Sequence, residues 1–274
     1  MIDFLASQWQ FILILFAAGL FAGLIAGMFG IGGGAVIVPL LYFLLTGLDY
    51  AETAQHVAVA TSLATIIATS TRSVIAHHRH GAVDIRVLRQ WAPWIVLGAF
   101  GGMFLASLMS GRLLAGLFGV MAILVALQFI FGRGNFRLAD DLPTGLPRAG
   151  LGGLIGTLSG LMGIGGGTFG IALMTFSGRP IHQAIGTAAG FGVAIGLPGA
   201  IMAVFVGAGV DLRPPGSLGY VNLPAFLIIS ILSVTMAPIG VKLAHKLDGQ
   251  LLKRLFGMLL VIVAIRMISA SIAG

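Results

Sequence analysis

No charged side chain stands between Asp3 and Asp49, between Arg148 and Arg179, or between Arg213 and Lys242. Water does not tolerate such runs on a surface, and a bilayer accepts only backbone whose polar groups are paired internally. As a helix, about 20 apolar residues cross the hydrocarbon core of a membrane. The chain therefore reads as an all-α polytopic membrane protein. Composition agrees. Of 274 residues, 58% are hydrophobic and 8% charged, and the mean hydropathy is +1.08, whereas soluble domains are about 25% charged. The start, MIDFLASQWQ, has no Lys or Arg ahead of its first apolar run, so no signal peptide is expected. Cysteine is absent from the sequence, which excludes disulfides, thiolate metal sites and cysteine nucleophiles.

Hydropathy predicts full crossings at about 53–77, 91–110, 112–131, 182–208, 221–243 and 250–271. Two further apolar segments, about 10–46 and 149–177, have the wrong length. The second would make a helix about 43 Å long, too long for one crossing and too short for two. Each segment carries one copy of a glycine string, GMFGIGGG at 27–34 and GLMGIGGG at 160–167. The pattern predicts a hairpin of two shorter helices broken at the glycines, its tip near the membrane midplane. Its arms either re-enter or cross fully.

Charges set the expected orientation through the positive-inside rule, which also accounts for most of the net charge of +7. The connection at 77–90 carries Arg79, Arg86 and Arg89 and is placed in the cytoplasm. So are 132–148, with Arg133, Arg137 and Arg148, and the turn holding Lys242, Lys246, Lys253 and Arg254. The acidic turn with Asp49 and Glu52, the turn at Gly111 and Arg112, and the connection at 207–220 fall outside. Matching connections in the two halves thus carry opposite bias. The halves also match in order: the glycine strings, then QHVAVATS with IHQAIGTA, then SGRLLAGLFG with DGQLLKRLFG. These alignments pair His56 with His182, Thr61 with Thr187, Phe118 with Phe256 and Gly119 with Gly257. The expected architecture is two inverted repeats, 1–131 and 149–274, joined by a cytoplasmic linker at 132–148. Each repeat is a broken hairpin plus three transmembrane helices, a common transporter plan. The N-terminus is then outside and the protein is multi-pass in the cytoplasmic membrane.

A broken helix exposes N–H donors and a partial positive charge at the start of its second arm, a natural anion site. The candidates for binding a small anion are Gly30, Gly32, Gly33 and Gly34 in one tip, with Gly163, Gly165, Gly166, Gly167 and Thr168 in the other. Thr61, Ser62 and Thr187 add hydroxyls, unless these bond back to their own helices. His56, His182, Gln55 and Gln183 are candidates for a gate or for proton coupling, against the plainer role of polar residues at a span entrance. Gly98, Gly101, Gly102, Gly190, Gly192 and Gly196 are expected to serve close helix packing. All eight acidic residues fall in or beside connections, which argues against cation transport. Enzyme chemistry finds no support: there is no H-E-x-x-H, no G-x-S-x-G and no Lys-Ser/Thr after the glycines. His77, His78 and His80 are read as a cytoplasmic loop in preference to a metal tract. No metal, other cofactor or nucleic-acid partner is expected. Arg72 is expected to snorkel to the interface, and Trp9, Trp91 and Trp94 to sit at membrane interfaces.

The paired G-I-G-G-G hairpins, the V-P-L-L at 38–41 and the A-x-x-T-S at 58–62 resemble the TauE/SafE family of sulfite and organosulfonate transporters, over essentially the whole chain. The resemblance implies a secondary transporter that moves a small sulfur-containing anion, such as sulfite, sulfoacetate or a related organosulfonate. A passive anion channel, or a carrier for another small organic anion, is the alternative. The second half departs from the first: Ala188 stands opposite Ser62, and TFGIALM lacks the proline of AVIVPLL. The two tips are therefore expected to contribute unequally.

The orientation has a direct test, because every introduced cysteine would be unique. With a membrane-impermeant maleimide on intact cells, Asp49→Cys and Asp211→Cys should label, and Arg86→Cys and Lys246→Cys only after lysis. Labelling of Arg86→Cys and Asp211→Cys from the same side would remove the inverted arrangement.

Overall fold

The computed structural model describes residues 2–131 and 141–273. Arg133, Arg137 and Asp140 lie outside the described residues, as do the side chains of Asp3, Trp9 and Lys253. The described residues form ten helices: α1 (Ile2–Phe29), α2 (Gly34–Thr46), α3 (Ala54–Arg79), α4 (Ile85–Ser107), α5 (Gly111–Phe131), α6 (Gly145–Met162), α7 (Gly167–Phe176), α8 (Ile181–Val206), α9 (Leu223–Lys246) and α10 (Gly249–Ala273). A small antiparallel pair, β1 (Ser217–Leu218) and β2 (Val221–Asn222), decorates the connection before α9.

Six helices are long and apolar enough to cross a membrane: α1 (through Ile12–Phe29), α3, α5, α8, α9 and α10. α4, expected as a crossing, has 23 residues but falls outside that set. Its first turns carry Arg86, Arg89 and Gln90, which lower its mean hydropathy. The glycine strings do break helices. Gly30, Gly32 and Gly33 have φ of +64°, +70° and +84°, and Gly163 has +66°. Side chains with a Cβ avoid that region. The arms are unequal, because the first string lies late in its segment. α1 runs for 28 residues, and only α2, with 13, is short. In the second hairpin α6 has 18 residues and α7 has 10.

α1 packs on α9, α4 on α6, α3 on α8 and α5 on α10. Lipid gives helices no hydrophobic reason to associate, so close backbone approach must supply the contact. Small residues permit it. A methyl group on Gly27 of α1 would strike the carbonyl oxygen of Ala237 on α9, and one on Gly160 of α6 that of Ala99 on α4. One on Gly240 would strike the Leu24 carbonyl, and one on Gly102 the Thr157 carbonyl. Gly119 meets Ile268 and Ala264 across the α5–α10 seam, and Gly257 meets Ile130 and Ala126. Each contact in one half has its counterpart in the other at the position the sequence matches pair.

Most glycines expected to pack do so: Gly98 lies on Gly153, Gly190 on Leu88, Gly192 on Ser70 and Gly196 on Leu63. Gly101 does not, and a side chain there would meet open space. Trp91 also departs from expectation. It is 1% exposed and packs beside Gly152 of α6, while Trp94 is exposed. Trp91 is thus a core residue of the α4–α6 pair. Around the outside, Leu97, Phe131, Phe205, Ile231 and Ile262 are each more than 60% exposed, an apolar surface suited to lipid. Arg72 is exposed, as snorkelling requires. At the edge of the linker Asp141 pairs with Arg179 at 2.9 Å. The Leu142 N–H and then the Arg179 guanidinium hold its carboxyl below the usual range. A pair this exposed adds little stability.

Two glycines of α4, three residues apart, separate packing from propensity. Gly98→Ala should lower the melting temperature in detergent, since overpacking costs about 1–3 kcal/mol. Gly101→Ala should leave it unchanged or raise it. Equal melting temperatures for the two variants would show that the α4–α6 crossing does not depend on backbone contact.

Candidate anion site between the hairpin tips

The two breaks meet. The Gly165 N–H donates to the Ile31 carbonyl at 3.1 Å, linking one tip to the other. A methyl group on Gly34 would strike the Gly163 carbonyl oxygen, and one on Gly167 the Ile31 side chain. All eight candidate glycines are buried. α2 and α7 both start at this junction, and neither Gly33 nor Gly166 offers a side-chain cap. The first turn of a helix carries N–H groups with no intrahelical partner. Two such turns with a positive dipole end therefore converge on one buried place. Thr168, in the first turn of α7, is 1% exposed, and its Oγ1 has no hydrogen-bond partner. The Oγ of Ser70 on α3 is equally buried and unpartnered, and it faces Gly32.

Carbonyls at and beside the breaks are bonded mainly from α3, that of Ala26 accepting the Gly30 N–H at 2.9 Å as well. Ser62 Oγ donates to the Gly163 carbonyl at 2.7 Å. Thr69 Oγ1 lies 2.9 Å from the Gly32 carbonyl and 3.0 Å from that of Thr65 in its own helix, so its one proton is shared between them. Ser73 Oγ reaches the Ala26 carbonyl at 3.4 Å. His77 Nε2 lies 3.1 Å from the Gly27 carbonyl, so this nitrogen carries the proton and donates. Ser62, Thr69, Ser73 and His77 fall on one face of α3, since steps of three, four and seven return to the same side of a helix. That spacing was the available sequence signal, hidden because single hydroxyls in an apolar helix commonly bond back to it. In α8 the matching positions hold Ala188, Ile195, Gly199 and Ala203. The polar stripe has no second copy.

The other candidates are placed elsewhere. Thr61 Oγ1 accepts from the Asn222 N–H, and Thr187 Oγ1 from the Asp84 N–H, both at 2.9 Å. Asn222 and Asp84 cap α9 and α4, so these threonines anchor equivalent connections. His56 Nε2 lies 3.1 Å from the Ala106 carbonyl and 3.0 Å from that of Met109. The His56 ring stacks on Tyr220, whose phenol burial pushes above its ordinary pKa. His182 stacks on His245, beside His77 at the far end of α3. From His56 to His77 a helix rises about 32 Å, so the two matched histidines lie a membrane's thickness apart. Gln55 is fully buried with both amide atoms unpartnered, and Gln183 is half-buried.

Broken helices meeting in a polar seam inside a multi-pass helical protein define a membrane transporter architecture. Residues 15–267 match the family model described as sulfite exporter TauE/SafE. The chain belongs to this family, whose members are membrane transporters and not enzymes. It is 37% identical over 262 residues to a "Probable membrane transporter protein" of Haemophilus influenzae, covering 95% of this chain and 99% of that one. A protein of the same name from Xylella fastidiosa (strain Temecula1) is 30% identical over 272 residues, covering 97% of this chain and 98% of its own. A probable membrane transporter of Methanocaldococcus jannaschii is 25% identical over 273 residues, covering 95% and 98%. No solved structure gives a significant match.

If α3 holds the tips, removing one hydroxyl should be felt. Thr69→Val leaves the Gly32 carbonyl without this donor and should cost about 1–3 kcal/mol, read as a lower melting temperature. Thr71→Val is the control, because the Thr71 hydroxyl is exposed and bonds its own helix at Ile67. Equal stability of the two variants would deny α3 this role.

Proposed function

We propose that the protein is a secondary transporter that exports a small sulfur-containing anion, sulfite, sulfoacetate or a related organosulfonate, across the cytoplasmic membrane. The anion binds between the two hairpin tips, and access alternates between the membrane faces. One observation carries the proposal: two uncapped helix starts converge on a buried junction beside the unpartnered hydroxyls of Thr168 and Ser70. Such a junction favours an anion. Every acidic residue among the described side chains lies in a connection or at a helix end, so no mid-span carboxylate competes with it. Gly30, Gly32, Gly33, Gly34, Gly163, Gly165, Gly166 and Gly167 form the backbone of the proposed site, and their lack of side chains is what lets the tips pack this closely. The matched glycine contacts, and the placement of His56 and His182 at opposite ends of α3, support two inverted repeats. The direct contact between the tips favours a carrier over an open channel.

The test is thermal stabilisation of purified protein by sulfite, sulfate, sulfoacetate, taurine, acetate and chloride. A ligand at 100 times its Kd adds about 2.7 kcal/mol to the folded state. Stabilisation should appear with sulfite or sulfonates and disappear in folded Gly33→Leu or Gly166→Leu protein. Stabilisation that survives in both variants would move the site away from the tips, and none with any anion would end the sulfonate assignment.

A further inference from the structure

One group of titratable side chains is not used by the anion site. His77 from α3, His80 just beyond it, His182 from α8 and His245 from α9 come together at one end of the bundle. His77 Nδ1 lies 3.3 Å from His245 Nε2. His245 stacks on His80 with centroids 4.5 Å apart and on His182 at 5.2 Å. His77 is fully buried, His245 half-buried and His80 exposed. The cluster therefore runs from water inward to the Gly27 carbonyl, which lies in the last turn of α1, three residues before Gly30 of the first tip.

Proton positions follow from the partners. His77 Nε2 faces a carbonyl and carries hydrogen, so in the neutral ring Nδ1 is an acceptor. His245 Nε2–H then donates to it, leaving His245 Nδ1 as the free basic atom. We propose that the His77–His245 pair binds the proton that drives this transporter. The inference rests on the carrier function proposed above. A proton from water binds His245 Nδ1, and the Nε2 proton of His245 passes to His77 Nδ1. The result is one imidazolium at His77 and a neutral His245, with no other bond made or broken. The pair holds at most one proton, because a second would set two N–H groups against each other.

The surroundings suit a proton that comes and goes. A cation is favoured at a helix C-terminus, and His77 caps the end of α1. Against that favour stand the nearby imidazoles of His80 and His182, and the exposed cations Arg79 on α3 and Lys242 and Lys246 on α9. His78 of α3 is also exposed. α1 offers only its carbonyl. The carboxylates at this end are occupied, Asp84 with the Val87 N–H at 3.0 Å and Asp248 with the Gln250 N–H at 2.9 Å. Among the described residues no three His, Asp or Glu side chains are grouped so as to hold a metal ion. Protonation tightens the hold of α3 on α1 and charges the contact with α8, so the proton and the position of the first hairpin are linked. The second hairpin has no such site, since Ala203 matches His77.

Two measurements decide the matter. In full-length protein labelled with ring-15N histidine, NMR titration should show His77 and His245 taking up one proton jointly. His245→Gln should shift the His77 midpoint, and His80→Gln should leave the linkage intact. A His77 titration identical in wild type and His245→Gln overturns the proposal without reference to any substrate. In proteoliposomes, radiolabelled sulfoacetate should exchange at equal pH in wild type and His245→Gln alike. Accumulation driven by a pH gradient should fall about tenfold in His245→Gln. Wild-type accumulation by His245→Gln overturns the proposal. Failure of wild type to exchange sulfoacetate or sulfite would count against the proposed function, and the NMR result would still decide the proton site.

Discussion

An interrupted helix inside a membrane leaves carbonyl and N–H groups that lipid cannot satisfy, and this structure is organised around pairing them. α3 supplies most of the donors. Four of its side chains, spaced along one face, reach the carbonyls at 163, 32, 26 and 27. The carbonyl at 163 belongs to the second hairpin and the other three to the first. A single continuous helix thus fixes both breaks. The first turns of α2 and α7 begin at the same junction and bring N–H donors to it, beside carbonyls that α3 has already engaged at 163 and 32.

The two halves share a packing scheme but not a chemistry. Glycine contacts along α1–α9 recur along α6–α4, and those of the α5–α10 seam are reciprocal. The polar stripe exists only on α3. Its counterpart α8 carries Gly192, Gly196 and Gly199, which bring the backbone of α8 against Ser70 and Leu63. One central helix therefore contributes hydrogen bonds and the other contributes proximity. The missing hydroxyl at Ala188 belongs to a wider division of labour.

Much of this was legible in the sequence. The glycine strings marked both breaks because a charge-free segment of the wrong length leaves few alternatives. Three things were not legible. Thr61 and Thr187 look like site hydroxyls, but their partners are backbone N–H groups of connections far away in sequence. Ser73 and His77 look like ordinary residues near a span end, because nothing local announces the carbonyls of α1. Trp91 looks interfacial by composition, and only the small Gly152 opposite it shows that it is enclosed. In each case the deciding partner comes from another helix, which hydropathy cannot see.

The crossing of α1 with α9 bears on how the chain is made. Of the ten described helices α1 leaves the ribosome before the others, and the surface formed by Gly19, Gly23 and Gly27 fits α9, the last but one of them. The equivalent surface of α6 finds α4 already synthesised. The first hairpin must therefore wait in the bilayer with its glycine face on lipid until nearly the whole chain has been inserted, whereas the second can dock at once. Assembly from this sequence is vectorial: the C-terminal half completes the N-terminal one, and a chain truncated before α9 would strand its first helix unpaired.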